Sequence, residues 1–240
     1  MKILISVISY NEEPNIEATL RDLLDQHAGH DIVVIDNGSS DRTQAICRRL
    51  GVRTVRHCVN TGSSVGALIS YFAFAYTHGY DVLCQFDGDG QHVASELPKI
   101  IGPVARGEAN CVVGSRFLRR EGFQSTALRR IGIRLFSGLF HLFTGQRLTD
   151  ITSGFRAYDA AVIDFFGHRY REPLYDSMNQ FLLLCYFAGF RIQEVPVLMR
   201  ARQFGASEFN LRNAMVFPLK GLVAFAACLL QRRHIAAIRG

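Results

Sequence analysis

Two carboxylates separated by one residue, Asp87 and Asp89, close the apolar segment YDVLCQFDGDGQH. In extended backbone, residues i and i+2 point to the same side. Both carboxylates can therefore face one hard cation and leave positions open for phosphate oxygens. Mg²⁺ is commonly held this way, by one or two carboxylates, several waters and the phosphates of a substrate. Gly88 and Gly90 let the chain turn sharply at this point. Asp and Gly also build ordinary turns, so the surroundings of the pair must decide between the two readings.

The elements that would position the pair follow from the spacing of apolar residues. Short β-branched runs at residues 3–9, 31–35, 52–56, 81–86 and 110–114 read as strands. Helical spacing separates them at residues 15–27, at 40 or 41 to 50, at 66–78 and at 96–106. This alternation predicts an α/β fold with a mostly parallel sheet covered by helices on both faces. Ligands of such sheets bind outside the carboxyl ends of the strands. Ser9, Tyr10, Asn11 and Glu12 follow the first predicted strand, and Asp36 ends the second. Asp87 and Asp89 end the fourth, and Gly114-Ser115-Arg116 follows the fifth. Residues far apart in sequence thus converge on one rim.

The second half has a different texture. Residues 129–143 (RRIGIRLFSGLFHLF) are apolar nearly all round, with arginines at the start. They read either as a buried helix or as one that touches lipid with its basic residues at the headgroups. Residues 149–158 (TDITSGFRAY) read as a polar loop, 176–190 as an apolar helix, 191–197 as a strand and 200–209 as a basic loop. Residues 214–230 form an apolar tail interrupted by Pro218 and Lys220 and followed by Gln231-Arg232-Arg233-His234. That length is at the short limit for a spanning helix, so an interfacial or protein-packed helix is expected, with the arginine pair at headgroup level. The expected division is a domain at residues 1–212 and an apolar and basic helix at 213–240.

The chain has 240 residues, 48% of them hydrophobic, and a net charge of +6. That is enough for one large domain with an appendage. The positive charge is almost all arginine, since Lys2, Lys99 and Lys220 are the only lysines. Arginine suits bidentate phosphate recognition. The charge is spread along the chain with no aromatic-interleaved basic motif, which argues against nucleic-acid binding. Six cysteines, none with CxxC spacing and most in apolar runs, read as small buried hydrophobes of a reduced compartment. The N-terminal ILISVISY reads as a first strand and not a signal peptide.

With these residues in view, the chain resembles family-2 glycosyltransferases, and within them the dolichyl-phosphate mannose synthase and polyprenyl-phosphate glycosyltransferase branch. The matching pieces occur in order: SYNEEPNI, VVIDNGSSDRT, DGDGQH, GSRF, TDITSGFRAYD, QEVPV and the arginine-glycine-serine loop near 202–207. The resemblance implies a GT-A fold, a nucleotide-diphosphate sugar donor, Mg²⁺ or Mn²⁺, and transfer with inversion to a membrane polyprenyl phosphate. It implies nucleotide contacts at Tyr10, Asn11 and Glu12, and a base-facing acid at Asp36. The family usually has a second acid where this chain has Asn37, whose role is left open. Asp87, Asp89 and Gln91 match the metal and diphosphate positions. Arg116 and Arg156 match the arginines of GSRF and SGFRA, and Arg156 is expected to contact phosphate or acceptor. Arg202 and Ser207 match a basic loop that closes over phosphates, although Glu208 stands where a lysine is usual.

Acceptor chemistry decides whether a base is required. A lipid phosphate is already anionic, and Arg116, Arg129 and Arg130 are candidates to hold it. A hydroxyl acceptor needs a carboxylate to take its proton, and Asp150 or Asp176 is placed to do so. His92, beside the carboxylate pair, reads as structural. Two alternatives stay open on the sequence: a glycan or soluble hydroxyl acceptor, and a non-catalytic subunit that binds nucleotide sugar. The expected location is the cytoplasmic side of the membrane, held peripherally at its surface.

Overall fold

The computed structural model describes residues 1–61, 64–119, 127–172, 174, 179–202, 204 and 211–239. The first half alternates as the apolar spacing requires: β1 (Ile3–Ser9), α1 (Ile16–Gln26), β2 (Asp31–Asp36), α2 (Thr43–Arg49), β3 (Arg53–Arg56), α3 (Ser64–Thr77), β4 (Val82–Asp87), α4 (Leu97–Ala105) and β5 (Cys111–Ser115). The second half adds α5 (Ala127–Thr144), β6 (Arg156–Asp159), α6 (Ala160–Asp164), α7 (Asn179–Phe187), β7 (Ile192–Pro196) and α8 (Leu211–Arg239).

Seven strands form one sheet in the order β3-β2-β1-β4-β6-β5-β7. All run parallel except β6, which pairs antiparallel with both β4 and β5. The expected mostly parallel sheet is therefore mixed, because residues 156–159, read from sequence as part of a loop, form a central strand. Four residues that begin with Arg156 carry no alternating apolar signal. Their pairing comes from neighbours far away in the chain, Gln85 on one side and Val113 on the other. Asp159 then caps α6 by accepting the Val162 N–H at 2.9 Å.

The register sets the site. β1 lies between β2 and β4, with Ser9 opposite Asp36 and Ile8 opposite Asp87. The strand order reverses here, so the crevice at the carboxyl ends of β1, β2 and β4 is where α/β sheets bind ligands. Strands buried on both faces hold it rigid. One face packs against α1, α2 and α4 through Val7, Leu20, Phe86 and Ile100. The other packs against α3, α5, α7 and α8 through Phe72, Phe140, Phe181 and Phe225.

α8 extends beyond the predicted apolar tail at both ends and continues through Pro218. Ala224, Phe225, Cys228 and Ile235 are buried, whereas Leu222, Val223 and Leu230 are exposed. By length and composition alone, Gly221–Arg239 could cross a membrane. Gly221 is the seat of the α5–α8 contact: a Cβ there would run into the Phe136 ring. Gly→Ala in a helix normally gains about 1 kcal/mol. Here overpacking costs about 1–3 kcal/mol, so Gly221→Ala is expected to lower the urea midpoint, read by circular dichroism.

Candidate active site

Asp87 ends β4, and its carboxylate lies against Gly154, where a Cβ would come within 3.1 Å of Oδ2. Only a residue without a side chain lets the SGF segment pass so close. The Asp87 backbone N–H donates to Nδ1 of His92 at 2.9 Å. The ring proton therefore sits on Nε2, which is 3.5 Å from Asp87 Oδ2. His92 is buried, stacked on Phe155 and edge-on to Phe86. Burial pushes its imidazole down to about 4. It is a neutral prop for the turn, in keeping with the structural reading.

Asp89 accepts the Gln91 N–H at 3.0 Å. Burial raises Asp89 above the usual carboxylate range, and the Asp87 charge raises it further. Two carboxylates held close at that cost are chemically suited to a divalent cation. Among the described residues no group of three or more His, Cys, Asp or Glu is arranged to hold a metal. Asp87 and Asp89 are a pair of hard oxygen ligands, a donor type that suits Mg²⁺ or Mn²⁺ beside phosphates and waters.

The loop after β1 is stitched to the loop after β2. Asn11 adopts a positive φ of 52°, a region that Asn tolerates better than most residues. Its Oδ1 accepts the Ser40 N–H, and its own N–H donates to Ser39 Oγ, each at 2.9 Å. Tyr10 is half-buried beside it. Asp36 is buried, with Oδ1 accepting the Ser39 N–H at 2.9 Å. Its Oδ2 lies 3.7 Å from Arg56 and has no hydrogen-bond partner among the described residues. Asn37 ties the neighbouring loop instead. Its Oδ1 accepts from Thr61 Oγ1 and from His57 Nδ1, each at 2.9 Å.

Glu12 and Asp89 are joined by an arginine from the far end of the domain. Arg202 donates from one terminal nitrogen to Glu12 Oε1 at 2.6 Å, and the other lies 3.7 Å from Asp89 Oδ2. Asn15 donates to Glu12 Oε2 at 2.7 Å and to the Phe204 carbonyl at 3.2 Å. Burial raises Glu12, Asn15 and Arg202 offset part of that, and Asp89 adds to it. The Arg200 N–H donates to the Gln91 carbonyl at 2.8 Å, which lays this segment across the carboxylate turn. Ser207, Glu208 and Asp176 lie outside the described residues, as does the side chain of Arg129.

Arg116 and Asp150 form a buried, two-pronged ion pair. Arg116 Nε donates to Asp150 Oδ2 and a terminal nitrogen to Oδ1, both at 2.7 Å. The Arg116 N–H adds a third bond at 3.2 Å, and Thr152 Oγ1 a fourth at 3.4 Å. Burial disfavours the charge on Arg116, and Asp150 more than offsets it, with Asp87 adding to the effect. A fully buried carboxylate with both oxygens engaged is poorly arranged to take a proton from an acceptor, so the geometry corrects the reading of Asp150 as a base: it anchors Arg116.

The reading of Arg156 as a phosphate or acceptor contact is corrected in the same way. Its side chain is fully buried, donates to the Ile151 carbonyl at 2.8 Å and lies over the Phe181 ring. Antiparallel β6 turns it into the core beneath the rim. Glu194, missed as a site residue, holds the loop that carries Asp150. Its carboxylate accepts the Thr149 N–H at 2.9 Å and the Asp150 N–H at 2.7 Å. The available signal was a glutamate inside a strand, which is an unfavourable place for it.

Beside this loop, α5 and residues 147–149 enclose a cavity of about 640 Å³ walled by Phe117, Ile133 and Leu148. Arg130, Arg134 and Arg147 line it. None has an ion-pair partner among the described residues. Around α5, this basic side lies between the buried Phe136 and Phe140 and an exposed apolar stripe of Ile131, Leu135 and Leu142.

A mixed sheet of this order, with a paired-carboxylate turn at the strand ends, is the GT-A architecture of nucleotide-diphospho-sugar transferases. The glucosyl-3-phosphoglycerate synthase of Mycobacterium tuberculosis, crystallised with Mn²⁺, UDP-glucose and phosphoglyceric acid, superposes with a TM-score of 0.74 over 95% of this chain and 79% of that one, at 17% identity. The family description "Glycosyl transferase family 2" matches residues 4–167, and the chain belongs to that family.

Its relatives include the polyprenol monophosphomannose synthase of Mycolicibacterium smegmatis, 27% identical over 89% of this chain and 84% of that protein. The undecaprenyl-phosphate mannosyltransferase of Micrococcus luteus is 28% identical over 88% of each chain. The UDP-N-acetylglucosamine–dolichyl-phosphate N-acetylglucosaminyltransferase of Methanococcus voltae is 28% identical over 81% and 84%.

Proposed function

We propose that the chain transfers a sugar from a nucleotide-diphosphate sugar to a polyprenyl monophosphate at a membrane surface. The observation that carries this reading is α5: a basic cavity wall and an exposed apolar stripe share one helix, next to Arg116. An acceptor with an anionic head and an isoprenoid tail needs both faces at once. The names of the relatives point to the same acceptor class.

Donor chemistry falls to the rim of β1, β2 and β4. Asp36 Oδ2 offers an acceptor to an N–H of the base, and the Tyr10–Glu12 loop flanks it. Asp87 and Asp89, with Gln91, would hold Mg²⁺ or Mn²⁺. Such a cation supplies Lewis-acid stabilisation of the leaving diphosphate. Arg202 and Arg116 add fixed positive charge to the same region, Arg116 oriented by Asp150. The acceptor phosphate attacks the anomeric carbon from the opposite face with its own negative charge, so no carboxylate base is required. Exposed Leu222, Val223 and Leu230 of α8, with Arg232 and Arg233 beyond them, suit a helix lying in the membrane interface.

The test is incubation with polyprenyl phosphate in detergent and a panel of radiolabelled nucleotide sugars, with and without Mn²⁺. Label entering the organic phase for one donor, and only with metal, is the expected result. Label confined to water-soluble glycan, or no transfer with any donor, would overturn it.

A further inference from the structure

Arg202 is delivered to the site by residues 197–202, which leave the sheet after β7 and cross the carboxylate turn. The Val197 N–H still donates to the Ser115 carbonyl at 3.0 Å, continuing the pairing of β7 with β5. Beyond it the partner is the segment that follows Asp89. His92 and Met199 form an antiparallel bridge, and the Arg200 N–H donates to the Gln91 carbonyl at 2.8 Å. That pairing is short, because the partner turns away into the 3₁₀ turn Ala94–Glu96 and then α4. The Leu198 N–H is served by a side chain instead: it donates to Glu96 Oε2 at 3.0 Å.

Glu96 is buried and stands at the start of α4, yet its side chain does not cap that helix. An oxygen at that position ordinarily accepts from the helix's own first N–H groups. This carboxylate turns to the crossing segment, and its other bonds go to Lys99 Nζ at 2.8 and 2.6 Å. Lys99 is half-exposed, so the ion pair contributes little. The bond to Leu198 is the one with a structural consequence. It fixes the crossing segment before Arg202. After Arg202, the Phe204 carbonyl accepts from Asn15 Nδ2 at 3.2 Å and from Arg202 Nε at 2.8 Å. Between these two anchors the guanidinium reaches Glu12 at 2.6 Å and lies 3.7 Å from Asp89. One residue of extended chain spans about 3.3 Å. A slip of a single residue therefore moves the Arg202 backbone by more than the length of its bond to Glu12.

We propose that Glu96 is a positioning residue for the donor site: its carboxylate stands in for a missing backbone acceptor, sets the register of residues 198–202 on the carboxylate turn, and so places Arg202 against the donor diphosphate. The proposal rests on the donor reading given above and names the residue through which Arg202 is held. What it requires of Glu96 is reach and an acceptor oxygen. It does not require the charge.

The test is equilibrium binding of UDP and of GDP to the full chain with Mn²⁺ and without acceptor, well below the melting point of every variant. Arg202→Gln is expected to weaken the bound nucleotide about 10–100-fold, as loss of a charged hydrogen bond does. Glu96→Leu is expected to weaken it about 10-fold, and to cost nothing further in the Arg202→Gln background, because the two residues act as one unit. Glu96→Gln keeps an oxygen at the same reach and should bind within about twofold of the parent. Glu96→Asp keeps the charge but is one methylene too short for Leu198, and should behave like Glu96→Leu. Lys99→Met should leave affinity within about twofold of the parent, since it removes only a half-exposed pair.

Parent-like affinity in Glu96→Leu, or the same loss with and without Arg202, would overturn the proposal. So would a parent-like Glu96→Asp beside a weakened Glu96→Gln, since Glu96 would then act through its charge. A parent that binds neither nucleotide overturns it together with the donor reading. Failure of the acceptor reading shows separately: Glu96 and Arg202 would be coupled in nucleotide binding while no donor gives a labelled lipid.

Discussion

Replacing Asp89 with alanine is expected to reduce sugar transfer by about 10³-fold or more, with the fold retained. The size follows from charge. The diphosphate leaving group gains negative charge as the glycosidic bond breaks, and removing one preorganised countercharge from such a site costs several kcal/mol of transition-state stabilisation. Asp87 alone leaves one carboxylate, and Gln91 is a neutral ligand at best. The expected companion result is loss of Mn²⁺ binding in a titration made without any acceptor. Excess chelator should reproduce the loss in the parent protein.

Stability should move little, for two opposing reasons. Asp89 gives up one hydrogen bond, from the Gln91 N–H, worth about 0.5–1.5 kcal/mol net. It also removes a buried carboxylate that Asp87 repels. Asp89→Asn keeps an acceptor for Gln91 and should therefore melt at or above the parent while remaining as inactive as the alanine variant. Arg202 retains Glu12 in both cases, so the segment across the site keeps its anchor. Full transfer by either variant would sink the assignment of Asp89 to the donor diphosphate.

Much of this site could be read from the sequence because its residues sit at the ends of strands that announce themselves. β1, β2, β4 and β5 are apolar runs buried on both faces, and Asp36, Asp87 and Arg116 follow from where those runs stop. The sequence was silent where structure depends on a distant partner. β6 is a strand only because β4 and β5 stand on either side of it. Arg156 looked like an exposed loop arginine until β6 turned it inward. Asp150 looked like a free acid because the arginine that occupies it lies 34 residues earlier. The bridge from Arg202 to Glu12 spans 190 residues. The cavity wall on α5 was more legible than the reading made of it. Arg130, Arg134, Ser137 and His141 recur at helical spacing in an otherwise apolar stretch, which is the polar face that lines the cavity.

The Arg116–Asp150 pair separates an anchoring carboxylate from a proton-accepting one. Asp150→Asn is expected to destabilise the protein by about 3–5 kcal/mol, because it leaves a buried guanidinium without its countercharge. For a chain of this size that is a fall in Tm of roughly 6–20 °C. A catalytic base replaced by its amide would do the opposite: the melting point would hold, and the pH–rate profile would lose its basic-group limb. The neutral double variant Arg116→Met/Asp150→Leu should recover most of the lost stability, since replacing a whole buried pair is often neutral. It should not recover transfer, because Arg116 is the member of the pair within electrostatic reach of Asp87. Arg116→Gln alone should lose as much kcat/KM as Asp150→Asn, and the two losses should be far from additive, as expected for residues that act as one unit. If Asp150→Asn melts with the parent and only its pH profile changes, the carboxylate is a base and the acceptor is a hydroxyl. If stability and transfer fall together, Asp150 acts through Arg116, and the acceptor brings its own charge to the reaction.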